Sequence, residues 1–111
     1  MTRIAIIGAG LAGLTLAREL KNSTDITVFE KSAGVGGRMA TRSAPPYAFD
    51  HGAQFFIAKS AAFQEEVAKW LEAGVVDLWQ ARFREFEGDQ VVSGRDWCDD
   101  PPHYVGVPGM N

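Results

Sequence analysis

Apolar residues form two short runs near the start of the chain, with a helical pattern between them. The runs Ile4 to Ile7 and Ile26 to Glu30 are rich in β-branched residues, as buried strands are. Leu11 to Asn22 has its apolar residues at helical spacing. Strand, helix and strand in this order predict a right-handed βαβ unit with two parallel strands over residues 3–30.

A second helix and several short strands are predicted further along the chain. Ser60 has the side chain of a helix N-cap, and Gly74 has the backbone freedom needed where a helix ends. Four large apolar residues between them fall on one face: Phe63, Val67, Trp70 and Leu71. Short strands are predicted at residues 47–49, 54–57 and 103–105, and residues 31–47 form a long loop.

From Val75 onwards apolar and polar residues alternate, which predicts a strand with one buried face. The apolar members are Trp79, Ala81 and Phe83, and the polar members are Gln80, Arg82 and Arg84. Glu87-Gly88-Asp89 predicts a hairpin turn into Gln90 to Val92. Gly94 to Pro102 is expected to be irregular.

Composition and charge narrow the class of protein. The chain has 111 residues, of which 46% are apolar and 23% charged, as in an ordinary globular domain. Its formal net charge of -3 provides no basic field for nucleic acid, and no apolar stretch is long enough to cross a bilayer. We therefore expect a cytoplasmic protein with neither a nucleic acid nor a membrane as partner.

Cysteine usage argues against a disulfide and against a metal site. Cys98 is the only cysteine in the sequence, which excludes an internal disulfide and a multi-cysteine zinc site. Four residues of types that can ligate a metal ion lie on one short segment: Cys98, Asp99, Asp100 and His103. Two prolines between these residues favour a solvated turn, so no metal is expected.

A glycine motif follows the first strand directly. Gly8, Gly10 and Gly13 have the spacing G-x-G-x-x-G, and the helix opens at Leu11. Gly8 permits a tight turn, Gly10 lets a pyrophosphate approach the backbone, and Gly13 lets the helix pack against its strand. Free N–H groups at the start of a helix form an anion site. Between a strand and a helix, the motif indicates a dinucleotide-binding turn.

Glu30 ends the second strand, 17 residues after Gly13, where an adenosine ribose would present its hydroxyl groups. Its negative charge argues against a cofactor with a 2′-phosphate, because two negative groups would share one small site. Lys31 would offset part of that repulsion unless its side chain is simply solvated.

Together these features predict an α/β fold with a Rossmann-like FAD/NAD(P)-binding βαβ start, followed by a helix and antiparallel strands. Two parallel strands and one helix do not complete a parallel sheet, which needs more strands and cover on both faces. We therefore expect either that another chain supplies those strands or that the sequence is the front portion of a longer protein.

The long loop carries a second glycine motif, because Gly34 to Arg42 reads GVGGRMATR. Here the chain resembles the flavin-containing amine oxidase superfamily, whose members follow the dinucleotide motif and the ribose carboxylate with a Gly-Gly-Arg segment. Gly36 and Gly37 allow close approach of the backbone, and Arg38 offers a planar fork for bidentate contact with phosphate.

The segment Asp50 to Phe56 reads DHGAQFF and resembles the renalase-like branch of that superfamily, in which it reaches the flavin ring. The resemblance implies that Gln54 and Phe55 contact the isoalloxazine or its ribityl chain, and that Ala12 and Arg38 contact the phosphates. His51 occupies a variable position, so the resemblance implies no role for it. Asp50 and His51 are adjacent in an extended segment and point to opposite sides, so a structural role is expected for each.

The resemblance implies an FAD-dependent oxidoreductase about three times as long as this chain, in which the cofactor carries the chemistry and no side chain acts as a catalyst. The flavin would accept a hydride from a dihydronicotinamide or an amine and pass the electrons to oxygen, forming hydrogen peroxide. Residues 1–59 would be the FAD-binding segment, and residues 60–111 the truncated beginning of a substrate-facing domain. We expect the chain alone to be inactive.

The residues expected to bind the cofactor are Gly8, Gly10, Leu11, Ala12, Gly13, Glu30, Lys31, Gly36, Gly37, Arg38, Gln54 and Phe55. Two alternatives stay open. An NAD-dependent dehydrogenase would share the glycine motif and Glu30 but would not need the Gly-Gly-Arg segment. A non-catalytic dinucleotide-binding fragment would explain the missing strands. The sequence does not indicate the oligomeric state.

Overall fold

The computed structural model describes residues 2–96 and 101–111, which form two compact units. The first unit takes in the chain up to Gln54 together with Gly109–Asn111, and the second is Phe55–Pro108. In the predicted division, residues 109–111 belong to the second segment instead. They belong to the first unit because the Met110 N–H donates a hydrogen bond of 3.0 Å to Asp50 Oδ1. The substrate-facing role of residues 60–111 stays a prediction.

The first unit begins with the predicted βαβ unit. Strands β1 (Arg3–Ile7) and β2 (Asp25–Phe29) pair in parallel, and helix α1 (Leu11–Leu20) connects them. The predicted α/β fold with a Rossmann-like start is therefore confirmed. Helix α1 ends before the predicted Asn22 because the N–H and hydroxyl groups of Ser23 and Thr24 all donate to the Leu20 carbonyl.

This two-stranded sheet buries the face that packs against α1, where Ile6 is 7% exposed. On the opposite face Ile7 and Phe29, which are partners in the parallel register, are 82% and 54% exposed. Parallel strands are normally covered on both sides. Within the described residues, the sheet thus has the uncovered face that the small number of parallel strands predicts.

The rest of the first unit contains a short 3-10 helix (Gly37–Met39) and an antiparallel hairpin of β3 (Arg42–Ala44) and β4 (Tyr47–Phe49). The prediction of β4 is confirmed. Strand β3 lies in the segment predicted to be a loop. The residues of β3 show no alternation of apolar and polar side chains, so the sequence gives no sign of a strand. Backbone pairing with β4 holds β3 in place, although all three of its residues are exposed.

The second unit is built around α2 (Ala61–Glu72), as predicted. Ser60 Oγ caps the helix by accepting a 3.2 Å hydrogen bond from the Phe63 N–H, and Gly74 follows the helix with φ of 71°. The predicted apolar face is confirmed, since Val67 is 1% exposed and its neighbours on that face are half-buried. Rings of Phe56, Phe63 and Trp70 contact one another along it.

Two antiparallel strand pairs complete the second unit. Strand β5 (Val76–Leu78) pairs with β8 (Tyr104–Gly106), which confirms the predicted strand near His103 to within one residue. The strand predicted at residues 54–57 is wrong, because only an isolated bridge from Phe56 to Tyr104 forms there.

Strands β6 (Arg82–Glu87) and β7 (Gln90–Asp96) form the predicted hairpin, turning at Gly88 with φ of 62°. The predicted continuous strand with one buried face is wrong. Residues 79–81 interrupt it, because the Trp79 N–H donates to the His103 carbonyl at 2.8 Å, and every residue of β6 is exposed. Strand β7 also extends through residues 94–96, which were expected to be irregular, because backbone pairing with β6 continues that far.

Part of the segment expected to be irregular, including Cys98, Asp99 and Asp100, lies outside the described residues. Neither helix in the described part of the chain is long and apolar enough to pass through a bilayer. The cytoplasmic location stays a prediction.

Gly13→Ala should lower the free energy of unfolding by about 1–3 kcal/mol, because the added methyl group overpacks the contact between α1 and β1. It would collide with the Gly8 carbonyl oxygen and come within 3.3 Å of Ile6 Cγ2. The higher helix propensity of alanine, about 1 kcal/mol, does not offset a clash with backbone. Urea unfolding measures the change.

Gly34→Ala is the matched control, because a Cβ at Gly34 has no heavy atom within 4 Å. It should change the free energy of unfolding by less than about 0.5 kcal/mol. Equal destabilisation by the two substitutions would contradict the packing role of Gly13.

Candidate functional site

The turn after β1 is shaped to expose the start of α1. Gly8 has φ of 98° and donates its N–H to the Phe29 carbonyl at 2.7 Å, which fixes the end of β1 against β2. Gly10 is the N-cap of α1 and has extended backbone, with no side chain to cover the helix end. The N–H groups of Leu11, Ala12 and Gly13 have no acceptor within the helix. Such free N–H groups, together with the helix dipole, suit the binding of an anion.

Two glycines of the first motif, Gly10 and Gly13, have different surroundings. A Cβ at Gly13 would meet the Gly8 carbonyl, whereas a Cβ at Gly10 would meet nothing within 4 Å. Gly13 is therefore needed for packing, and Gly10 faces open space in front of the helix start. A pyrophosphate needs such space to reach the N–H groups of the helix.

The second glycine motif lies directly against the first. The Gly36 N–H donates to the Ala9 carbonyl at 2.9 Å, and Gly10 and Gly36 form a parallel bridge. Gly36 and Gly37 have φ of 109° and 57°, and a Cβ at Gly37 would lie 3.4 Å from Gly10 Cα. Both glycines therefore permit the backbone shape and the close approach. The structure brings the two predicted motifs together, with the exposed Arg38 following them.

A cavity of about 660 Å³ opens beside this turn, lined by Gly37, Arg38, His51, Gly52 and Ala53. The Ala53 N–H donates to the Arg38 carbonyl at 3.0 Å. A Cβ at Gly52 would collide with the same carbonyl. This close contact brings His51 to the cavity beside Arg38, whereas the sequence predicts only a structural role for it. The sequence feature that could have indicated this position is Gly52, because only a glycine permits the close contact with the Arg38 carbonyl.

Glu30 is tied to both sides of the site. Its Oε2 accepts a 2.7 Å hydrogen bond from the Ala9 N–H, and its Oε1 accepts 2.9 Å and 3.0 Å bonds from the N–H and hydroxyl of Ser32. The Ser32 N–H, the Ala9 N–H and the Ser32 hydroxyl, in that order, lower the pKa of Glu30 to about 2. The carboxylate is therefore charged at neutral pH.

The negative charge of Glu30 determines which group of a ligand suits it. Ala9 and Ser32 donate three hydrogen bonds to Glu30, and the Lys31 backbone N–H also lowers its pKa. A ribose hydroxyl, which donates a hydrogen bond, suits an ionised carboxylate, whereas a 2′-phosphate would repel its charge. The helix start, Arg38 and Glu30 together fit a dinucleotide without a 2′-phosphate.

The other residues predicted to bind the cofactor are exposed or belong to the second unit. Leu11 is 55% exposed, and Lys31 and Gln54 are also exposed. Phe55 belongs to the second unit, where its ring lies 5.8 Å from that of Trp79 and 4.8 Å from that of His103. Contacts of these residues with a cofactor stay predictions.

Sequence reasoning missed the residues that hold the site together. Ala9 joins Glu30 to the Gly36 turn through its backbone alone, which no side-chain pattern reveals. Ser32 has a recognisable signal, since a serine two residues after an acidic side chain closes a local turn with it. The sequence predicts a structural role for Asp50 but not its partners, because Thr41 and Met110 are distant in the sequence.

The model of the NAD(P)-binding Rossmann-like domain family matches residues 6–72, more than half of the chain. Tryptophan 2-monooxygenase of Agrobacterium tumefaciens is 41% identical over 59 residues, which are 49% of this chain and 8% of that protein. A 4,4′-diapophytoene desaturase of Staphylococcus aureus is 41% identical over 51 residues, which are 45% of this chain and 10% of that protein.

Solved structures share the fold over more of the chain. Putrescine oxidase has a TM-score of 0.53 at 28% identity, covering 76% of this chain and 19% of its own. A fatty acid isomerase from P. acnes that produces CLA has a TM-score of 0.58 at 26% identity, covering 83% and 22%. The chain thus spans less than a quarter of each of these relatives. An oxidase, a monooxygenase and a desaturase among them support the resemblance to the flavin amine oxidase superfamily.

Glu30→Gln should lower stability at neutral pH and change its dependence on acid. Glutamine keeps one carbonyl oxygen and gains an NH₂ donor, so it cannot accept from both Ala9 and Ser32. The pKa of Glu30 is lowered from 4.5 to about 2 in the folded state, so its contribution is full above pH 4.5 and is lost as the pH falls through about 2. Thermal unfolding of both proteins over this range should show their difference shrinking in acid.

Glu65→Gln on the exposed surface of α2 controls for the change in net charge. A difference between wild type and Glu30→Gln that stays constant from pH 7 to pH 2 would contradict the assigned hydrogen bonds.

Proposed function

Because the chain belongs to the NAD(P)-binding Rossmann-like domain family, we propose that it is the FAD-binding portion of a flavin-dependent oxidoreductase. The observation that carries this proposal is the contact between the two glycine motifs, in which the Gly36 N–H donates a hydrogen bond of 2.9 Å to the Ala9 carbonyl. Through this bond the turn that carries Arg38 lies against the start of α1, where we expect the phosphates to bind.

This contact between the two glycine motifs favours FAD over NAD as the cofactor. Both cofactors have an adenosine ribose for Glu30 and a pyrophosphate for the start of α1, so those features do not distinguish them. The Gly36–Arg38 turn adds the Arg38 cation and two glycines whose backbone a phosphate can approach closely. An NAD-dependent dehydrogenase does not need this second phosphate-binding segment. Among the relatives, the oxidase, monooxygenase and desaturase also support an oxidoreductase.

Each part of the site has a binding task. The N–H groups of Leu11, Ala12 and Gly13 and the guanidinium of Arg38 hold the pyrophosphate. Glu30 accepts from a ribose hydroxyl, with Lys31 beside it at the exposed end of β2. Gln54 and Phe55 follow the cavity-lining residues in the sequence and contact the isoalloxazine or its ribityl chain.

When bound, the flavin supplies a two-electron oxidation of the substrate, with oxygen reduced to hydrogen peroxide. The substrate is an amine or a dihydronicotinamide, as in the renalase-like branch. Putrescine oxidase and tryptophan 2-monooxygenase, by their names, act on nitrogen-bearing small molecules, which supports this class. The residues of this chain orient the cofactor, and no side chain among them is assigned a catalytic step.

The purified protein should bind FAD and become yellow, with affinity for FAD well above that for NAD. Titrations of both cofactors, followed by flavin fluorescence and by calorimetry, measure this. Gly10→Val should abolish binding of FAD by filling the open space before α1. Gly74→Ala, at a residue with φ of 71° in the other unit, should cost stability but leave binding nearly intact.

Binding of NAD without FAD would favour the dehydrogenase alternative. Binding of neither cofactor would favour a non-catalytic fragment. Wild-type FAD affinity in Gly10→Val would show that the phosphate site is elsewhere.

Arg38→Ala should weaken FAD binding by about 1.5–3 kcal/mol, because a charge-assisted contact with phosphate is lost. Arg42→Ala removes the same charge from the exposed start of β3 and should have little effect. Fluorescence titration of the two variants compares them directly, and equal affinities would contradict the role of Arg38.

A further inference from the structure

The carboxylate of Asp50 joins three separate stretches of the first unit. Its Oδ1 accepts a 2.6 Å hydrogen bond from the Thr41 hydroxyl and a 3.0 Å bond from the Met110 N–H. Thr41 lies just beyond the Gly36–Met39 turn, and Met110 lies near the far end of the chain. Asp50 itself follows β4 and precedes the cavity-lining His51.

The segment that Asp50 holds is packed against the turn. Met110 is 6% exposed, and the Asn111 side-chain amide donates to the Val35 carbonyl at 3.3 Å. A Cβ at Gly36 would lie 2.7 Å from Asn111 Cβ. Gly109 is equally close to Thr41, since a Cβ there would lie 2.7 Å from the Thr41 hydroxyl. Residues 109–111 therefore support the turn from the side.

The turn needs such external support. Two successive glycines lose more backbone freedom on ordering than any other pair of residues, so their shape is costly to maintain. The turn has short-range bonds from the Met39 and Ala40 N–H groups to the carbonyls of Gly36 and Gly37, each 3.0 Å long. These bonds close the turn. Its position in the unit depends on contacts with other segments: the bond from the Gly36 N–H to the Ala9 carbonyl, the bond from the Ala53 N–H to the Arg38 carbonyl, and the packing of residues 109–111.

We propose that Asp50 is a positioning residue for the dinucleotide, acting through Thr41 and Met110 to hold the Gly36–Met39 turn in the shape that receives the pyrophosphate. The link to the pyrophosphate rests on the function proposed above. Asp50 touches neither the cofactor nor the reacting atoms in this role. One oxygen of Asp50 accepts both bonds, so the oxygen is required and the negative charge is not.

The test compares Asp50→Ala with the conservative Asp50→Asn, which keeps an acceptor oxygen for both donors. Thr41→Val removes one of the two donors and serves as a milder variant if Asp50→Ala does not fold. Asp77→Ala is the matched control, because the Asp77 carboxylate also accepts a backbone N–H, that of Leu78, but in the second unit.

Two measurements are made on each variant: amide hydrogen exchange of the cofactor-free protein, and FAD affinity by fluorescence titration. Asp50→Ala should speed exchange at Gly36, Met39 and Ala40 about tenfold or more and weaken FAD binding by a similar factor, while exchange in α2 stays unchanged. Thr41→Val should show a smaller effect in the same direction. Asp50→Asn and Asp77→Ala should both resemble wild type.

Unchanged exchange at the turn in Asp50→Ala, or equal damage by Asp50→Asn, would overturn the proposal. Faster exchange at the turn with unchanged FAD affinity would also overturn it, since the turn would then be held without benefit to binding. If wild type fails to bind FAD, the proposed function fails, while the exchange data still decide whether Asp50 holds the turn.

Discussion

The backbone of Ala9 is the point on which the first unit depends. Its N–H donates to the Glu30 carboxylate at 2.7 Å, and its carbonyl accepts from the Gly36 N–H at 2.9 Å. Ala9 is 2% exposed and Gly36 is also buried, so the bond between them is shielded from water and is stronger for it. One residue thus fixes a carboxylate suited to a ribose and a glycine turn suited to a pyrophosphate. A dinucleotide has a fixed separation between its ribose and its pyrophosphate, so the carboxylate and the turn must be held at a constant distance.

Local patterns predicted the elements from which this site is built. The run of β-branched residues, the glycine motif and the helical spacing after it lie close together in the sequence, so β1, α1 and β2 were predictable without knowledge of distant contacts. The same holds for α2, whose cap at Ser60 depends on Phe63 in the next turn. The family resemblance then predicted that the Gly36–Arg38 segment joins the site.

What the sequence did not predict is decided by contacts between distant residues. The alternation after Val75 resembles a strand, yet the Trp79 N–H bonds to the carbonyl of His103 and the strand is interrupted. Strand β3 forms through backbone pairing alone, with no apolar signal. The bond from Met110 to Asp50 returns the end of the chain to the first unit, and no local pattern encodes it.

The central claim is that the start of α1 and the Gly36–Arg38 turn form one phosphate-binding site. Amide resonances of the isotope-labelled protein, followed by NMR during a titration with FAD, test it most directly. The account predicts that the amides of residues 10–13 and 36–38 shift together and give one dissociation constant. Shifts confined to the start of α1, with the amides of the turn unchanged at saturation, would contradict it.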